Sequence, residues 1–155
     1  LLVQRPGKFR WDYAPRWAGA NDGQLLVADG RSLWFLERDL AQVTVKPVDE
    51  ALSATPMVLL SGSPEQLAAA SVITAGARRD SLEWTVVTPR DSGADFSRAE
   101  LGFRGGTLQR MVISDKLGQT VTLDFSRSTR NGPIKPGELV FVPPSGVDVI
   151  GTVPR

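Results

Sequence analysis

Short segments that alternate apolar and polar side chains recur along most of this chain, each closed by turn-forming residues. FRWDY puts Phe9, Trp11 and Tyr13 on one face and Arg10 and Asp12 on the other, as the two-residue period of a strand requires. QLLVADGRSLWFLER is two apolar runs joined at Asp29-Gly30, a pair suited to the left-handed backbone of a tight hairpin. QVTVK follows after another turn, and then LEWTVV (82–87), SRAELGF (97–103), LQRMVIS (108–114), TVTLDFS (120–126) and ELVFV (138–142). Gly105-Gly106 and DKLG (115–118) punctuate successive hairpins. Strands at this spacing predict an antiparallel meander rather than a parallel sheet. A length of 155 residues points to a single domain over 1–155, long enough to bury a core.

One segment breaks the pattern. DEALSATPMVLLSGSPEQLAAAS (49–71) predicts two or three short helical turns. Thr55 before Pro56 suits a cap followed by proline at the first helical position. Ser63-Pro64-Glu65-Gln66 suits a capping box. The turn around Met57 to Leu60 is apolar on every side, so it needs protein cover all round or a greasy ligand on one side. RSTRNGPIKPGE, which begins at Arg127, reads as a solvated connector.

Composition excludes several kinds of chemistry. The chain has no cysteine and no histidine, which removes structural zinc sites, thiol nucleophiles and imidazole catalysis. Lys+Arg of 18 against Asp+Glu of 17 leaves no electrostatic footprint for nucleic acid. No apolar run approaches the length that spans a bilayer. RGG and SGS are turn chemistry, and no phosphate-cradling glycine loop occurs. Ser71 and Ser126 sit in no hydrolase motif. No catalytic residue, metal or cofactor is therefore assigned.

A long antiparallel sheet curls, and one of its faces must be covered. A few short helices are too little to fill a large concave surface. Such a sheet either closes into a small packed barrel or stays open around a cavity. Trp11, Trp34 and Trp84 lie on strands, where they line such a cavity or serve as ordinary core aromatics. In LLVQR, alternation puts Leu1, Val3 and Arg5 on one face. Arg5 then either finds backbone carbonyls or a carboxylate, or is solvated at a strand end. The chain begins inside this apolar run, which leads us to expect a preceding N-terminal portion, a secretion signal included.

QRPGKFRWDY, LLVADGRSLWFLERDLAQVTV, TPMVLLSG and FVPPSGVDVIG, in that order over nearly the whole chain, resemble the periplasmic outer-membrane lipoprotein carriers, the LolA family. The resemblance implies a mainly β fold: an unclosed antiparallel half-barrel, with short helices as a lid over a hydrophobic cavity. It also implies a further N-terminal helix and opening strand before the Arg-Pro motif, so residues 1–155 are expected to be the carrier domain without them. Arg5, at the arginine of the family's Arg-Pro motif, would latch the lid. Val3, Phe9, Trp11, Trp34, Met57, Leu60 and Trp84 are the candidate lining of the cavity or its entrance. The implied partners are acylated lipoproteins, an inner-membrane ABC transporter that releases them and an outer-membrane acceptor, with no cofactor. The complete protein would be a periplasmic monomer that does not span a membrane. Alternatives on the same fold are a lipid- or lipoprotein-sensing domain and the membrane-anchored acceptor, which needs a lipidated cysteine.

Overall fold

A computed structural model describes residues 1–49 and 56–154. The chain divides into two compact units, Leu1–Leu52 with Leu60–Ser63 and Pro133–Arg155, and Ser53–Leu59 with Pro64–Gly132. Each is built on its own sheet.

The first unit's sheet holds β1 (Leu2–Gln4), β2 (Lys8–Tyr13), β3 (Gln24–Asp29), β4 (Ser32–Glu37), β5 (Gln42–Pro47) and β11 (Asp148–Gly151), side by side in that order. The first five form the expected meander; β11 runs parallel to β5, with Val149 opposite Val43. The turn between β3 and β4 shows why Asp-Gly stands there. Gly30 takes a left-handed φ of 97°, and Asp29 Oδ1 accepts hydrogen bonds from the backbone N–H groups of Arg31 (2.9 Å) and Ser32 (2.8 Å).

One face of this sheet is dry. Leu25, Val27, Trp34, Leu36, Val43 and Val45 form a buried cluster completed by Phe141, with Val147 packed against it. ELVFV, the segment around Phe141, is not the strand that its alternation predicts: it begins in turns and joins no sheet. Glu138 N–H bonds Lys135 O and Val140 N–H bonds Gly137 O, both at 3.2 Å. The alternation is real, since Leu139 and Phe141 are buried while Val140 and Val142 are exposed. Phe141 packs onto a sheet face, however, and the backbone joins no ladder.

The second unit's sheet is antiparallel throughout, in the order β10 (Thr120–Asp124), β9 (Thr107–Ser114), β8 (Arg98–Arg104), β7 (Glu83–Pro89), β6 (Ser71–Ala75), with a bulge at Gly102/Phe103. Four of these were expected; β6 begins where sequence placed the end of a helix. One face carries Val87, Ala99, Leu101 and Met111, all buried, with Ile113 and Leu123 half-buried. Trp84, Gly102 and Arg110 lie on the other.

Two short helices are described, α1 (Val58–Ser61) and α2 (Pro64–Ala70). All of α1 is buried, so its apolar surface is covered by protein, whereas α2 buries no residue. The expected cap at Thr55 lies outside the described residues. Neither sheet closes into a barrel, and the fold is mainly β with few short helices, consistent with the expected open half-barrel. Among the described residues no helix is long and apolar enough to cross a membrane.

Candidate functional site

The second face of the first unit's sheet is apolar but not dry. Register places Trp11, Leu26, Phe35 and Thr44 in one row across β2 to β5, and Phe9, Ala28, Leu33 and Lys46 in the next. Val3 pairs with Phe9 and extends that second row onto β1. Tyr13, Gln24, Leu26, Leu33, Phe35, Thr44 and Lys46 line a pocket of about 340 Å³ on this face. Leu26, Leu33 and Phe35 give it a hydrocarbon middle on β3 and β4, with Tyr13 and Gln24 at one end and Thr44 and Lys46 along its β5 side. The rings of Trp11 and Tyr13 lie parallel with centroids 5.2 Å apart, and burial pushes the Tyr13 phenol above its ordinary pKa. Leu26, Leu33 and Phe35 are only half-buried. Apolar side chains left partly wet in a pocket are what an aliphatic ligand covers favourably.

The candidate aromatics separate sharply. Val3, Phe9 and Trp11 are on the pocket face, although Phe9 is fully buried and acts as core beneath it. Trp34 lies on the opposite face, within the buried cluster. Its Nε1–H donates to Asp29 Oδ2 at 2.9 Å, and its ring meets Phe141 at 5.4 Å. Trp84 belongs to the second unit, where it is buried away from the apolar face. Its Nε1–H donates to Arg79 O at 3.0 Å, and the Arg79 guanidinium covers the ring at 3.9 Å. Neither indole is on the pocket face: Trp34 is held within the dry cluster of the first unit, and Trp84 is buried on the second unit's sheet, the ordinary core role that strand aromatics also allow. Of the helical candidates, Met57 is half-buried and Leu60 buried.

Sequence reasoning missed Leu26, Leu33, Phe35 and Thr44. Their signal is their position, one residue out of step with Val27, Trp34 and Val45. Because β4 is apolar on both faces, SLWFLE offers two equivalent sets.

Arg5 stands in the turn between β1 and β2, and its Nε–H donates to Leu60 O at 2.9 Å. Two residues on, the backbone N–H of Gly7 donates to Ser61 O at 2.8 Å. The last carbonyls of a helix have no donor within it. This turn therefore supplies two of the donors that the end of α1 lacks, one a side chain and one main chain. Gly7 has φ of 73°, a backbone that favours glycine.

Asp29 links the hairpin to the dry face. Partial burial pushes its carboxyl upward, but hydrogen bonds from Ser32 N–H, Trp34 Nε1–H and Arg31 N–H together outweigh that and hold it below its ordinary pKa.

Comparison with known proteins bears on this geometry. Residues 1–141 match the family model described as outer membrane lipoprotein carrier protein LolA. The chain is 38% identical over 150 residues to the outer-membrane lipoprotein carrier protein of Chromobacterium violaceum, covering 97% of this chain and 70% of that protein. It is 36% identical over 151 residues to the protein of the same name from Methylobacillus flagellatus, covering 97% and 71%. The corresponding protein of Cupriavidus pinatubonensis is 38% identical over 150 residues, covering 97% and 68%.

Proposed function

The chain belongs to the family of outer membrane lipoprotein carrier proteins, LolA, and from that premise we propose that its wet apolar face takes up the acyl chains of lipoproteins crossing the periplasm. The observation that carries this reading is the pocket on the first unit's sheet, with a hydrocarbon middle and half-buried Leu26, Leu33 and Phe35. Val3 and Trp11 extend the same surface beyond the pocket.

The energetics set what such a carrier must do. A lipoprotein with three acyl chains buries roughly forty methylenes, worth on the order of 30 kcal/mol at ~0.8 kcal/mol each. Escape into water is then negligible without a carrier. A pocket of about 340 Å³ is at the small end of the ~300–1,000 Å³ of sites that take drug-sized ligands, and three acyl chains are larger than such ligands. Loading therefore needs more apolar surface than the pocket now offers. The two hydrogen bonds from the Arg5–Gly7 turn to the end of α1 would be broken to provide it, and their cost lowers net affinity enough for hand-over.

The role moves cargo and breaks no bond, so the reading is of a carrier and not an enzyme. The cargo would come from an ABC transporter of the inner membrane and pass to an acceptor on the outer membrane, one lipoprotein per monomer. The test is release from inner-membrane vesicles that hold the transporter and a labelled triacylated lipoprotein. Adding the protein should yield a soluble one-to-one complex. A folded protein that releases nothing, and does not bind a triacylated lipopeptide in solution, overturns the reading.

A further inference from the structure

We propose that one end of the first unit's sheet is a bilayer-docking tip, which seats Trp17 and Leu40 in the headgroup layer of a phospholipid membrane beside the mouth of the pocket. The inference goes beyond cargo binding but rests on the carrier reading, which requires approach to membranes.

Register fixes the geometry. Tyr13, Gln24, Glu37 and Gln42 are cross-strand neighbours at one end of β2 to β5. The connection 14–23 and the turn 38–41 therefore emerge at the same end. Trp17 on the first is 65% exposed, and Leu40 on the second is 61% exposed. Tyr13 and Gln24, which flank the first connection, both line the pocket.

The connection is braced in shape while its indole points to solvent. Arg16 N–H donates to Asp22 Oδ1 at 3.2 Å, and Arg16 Nε pairs with Asp22 Oδ2 at 3.0 Å. Ala20 N–H closes a turn onto Trp17 O at 3.1 Å. Asn21 Nδ2–H donates to Arg38 O at 3.1 Å, and Arg38 N–H donates to Gly23 O at 3.3 Å, which ties the two connections together. Nothing in this bracing uses the Trp17 ring.

The surroundings favour a bilayer over a protein. Trp17 and Leu40 are apolar tips set among Arg16, Asp22, Glu37, Arg38 and Asp39. A protein interface would have to desolvate those charges across the ~800 Å² that each partner typically buries. A headgroup layer keeps them wet while accepting a single indole and a leucine, the usual side chains of a membrane interface. Because the charges include both signs and Arg16 is already paired, apolar insertion rather than attraction to anionic lipid drives the contact.

The test uses the full chain with vesicles of phosphatidylcholine alone, and of phosphatidylcholine with phosphatidylglycerol. The protein is expected to sediment with both, with little dependence on salt, and brominated acyl chains should quench a part of the tryptophan emission that Trp17→Phe removes. The Trp17→Ala/Leu40→Ser pair should lower vesicle partitioning about tenfold, while Trp17→Phe retains most of it. Failure of the parent to sediment with either vesicle overturns the proposal. So does parent-like partitioning of the double variant, or binding that requires phosphatidylglycerol and disappears in salt, or a double variant that loses cargo release from transporter vesicles while keeping lipid binding. Uptake of a triacylated lipopeptide without vesicles is measured in parallel. If that uptake and release from transporter vesicles both fail while phospholipid vesicles bind, the carrier reading falls; the reverse result removes only the docking tip.

Discussion

Arg5 Nε–H and the carbonyl oxygen of Leu60, 2.9 Å apart, join residues 55 positions apart in the chain. With Gly7 N–H on Ser61 O, this bond fixes the end of α1 to the turn between β1 and β2. The two contacts are not equivalent. A main-chain donor cannot be removed by changing a side chain, whereas Arg5 can be replaced without touching Gly7.

The first prediction is that Arg5→Leu changes hand-over more than folding. A hydrogen bond from a charged group is worth ~1.5–3 kcal/mol, and exposure of Arg5 reduces this to about 1 kcal/mol. Unfolding by urea should show a loss of that size. If breaking the bond is part of loading, the variant should hold cargo about fivefold more tightly and pass it on more slowly. Equal loading and equal release would remove the latch.

Acid stability should report on Asp29. Burial pushes its folded pKa up, but N–H donors from Ser32, Trp34 and Arg31, with its own backbone N–H, outweigh that and lower it. A depressed carboxylate contributes stability that is fully present above the unfolded value of about 3.9 and is lost as pH falls through and below it. Thermal unfolding of the parent should weaken below about pH 4. Asp29→Asn should be less stable at neutral pH, with a shallower acid dependence. An unchanged acid limb would show that Asp29 does not set it.

A side chain at Gly102 would crowd its neighbours in the second unit. A Cβ there would lie 2.9 Å from Leu82 Cδ1 and 3.1 Å from Trp84 Cζ2 and Cη2. The buried ring is pinned by its bond to Arg79 O and cannot retreat. Overpacking of this kind costs ~1–3 kcal/mol, so Gly102→Ala should lower the urea midpoint by that equivalent. A shift within error would mean that the indole moves freely.

Much of this architecture is legible in the sequence, because period-two alternation and turn glycines are local signals. FRWDY, the Asp29-Gly30 hairpin and the strands between 82 and 126 lie where their patterns place them, within a residue or two. Non-local facts are not encoded that way. ELVFV alternates like a strand but Phe141 packs onto a sheet face, and DVIG, too short to stand out, is what joins the edge of β5. Arg5 is marked in the sequence by its face and by the family resemblance, yet its partner carbonyl belongs to Leu60, far along the chain. The choice of pocket face depended on which apolar set the C-terminal segment covers, and no strand carries that information by itself.

Trp34 and Phe35 turn this last point into an experiment, since they are adjacent in sequence and on opposite faces of β4. Trp34 is buried, bonded to Asp29 and packed on Phe141. Phe35 is half-buried and lines the pocket. Trp34→Phe removes a hydrogen bond and some volume from the dry cluster, so it should cost about 1–2 kcal/mol of stability. It should leave affinity for a triacylated lipopeptide near that of the parent. Phe35→Gln exchanges a partly wet ring for an amide, so its stability cost should stay below about 1 kcal/mol. Its affinity for the same lipopeptide should fall about tenfold, because the amide puts a polar group where acyl methylenes would pack. Urea unfolding and a fluorescence titration read the two effects separately. If the effects came out exchanged, the acyl chains would lie on the face that Phe141 covers, and the C-terminal segment would have to leave it for cargo to bind.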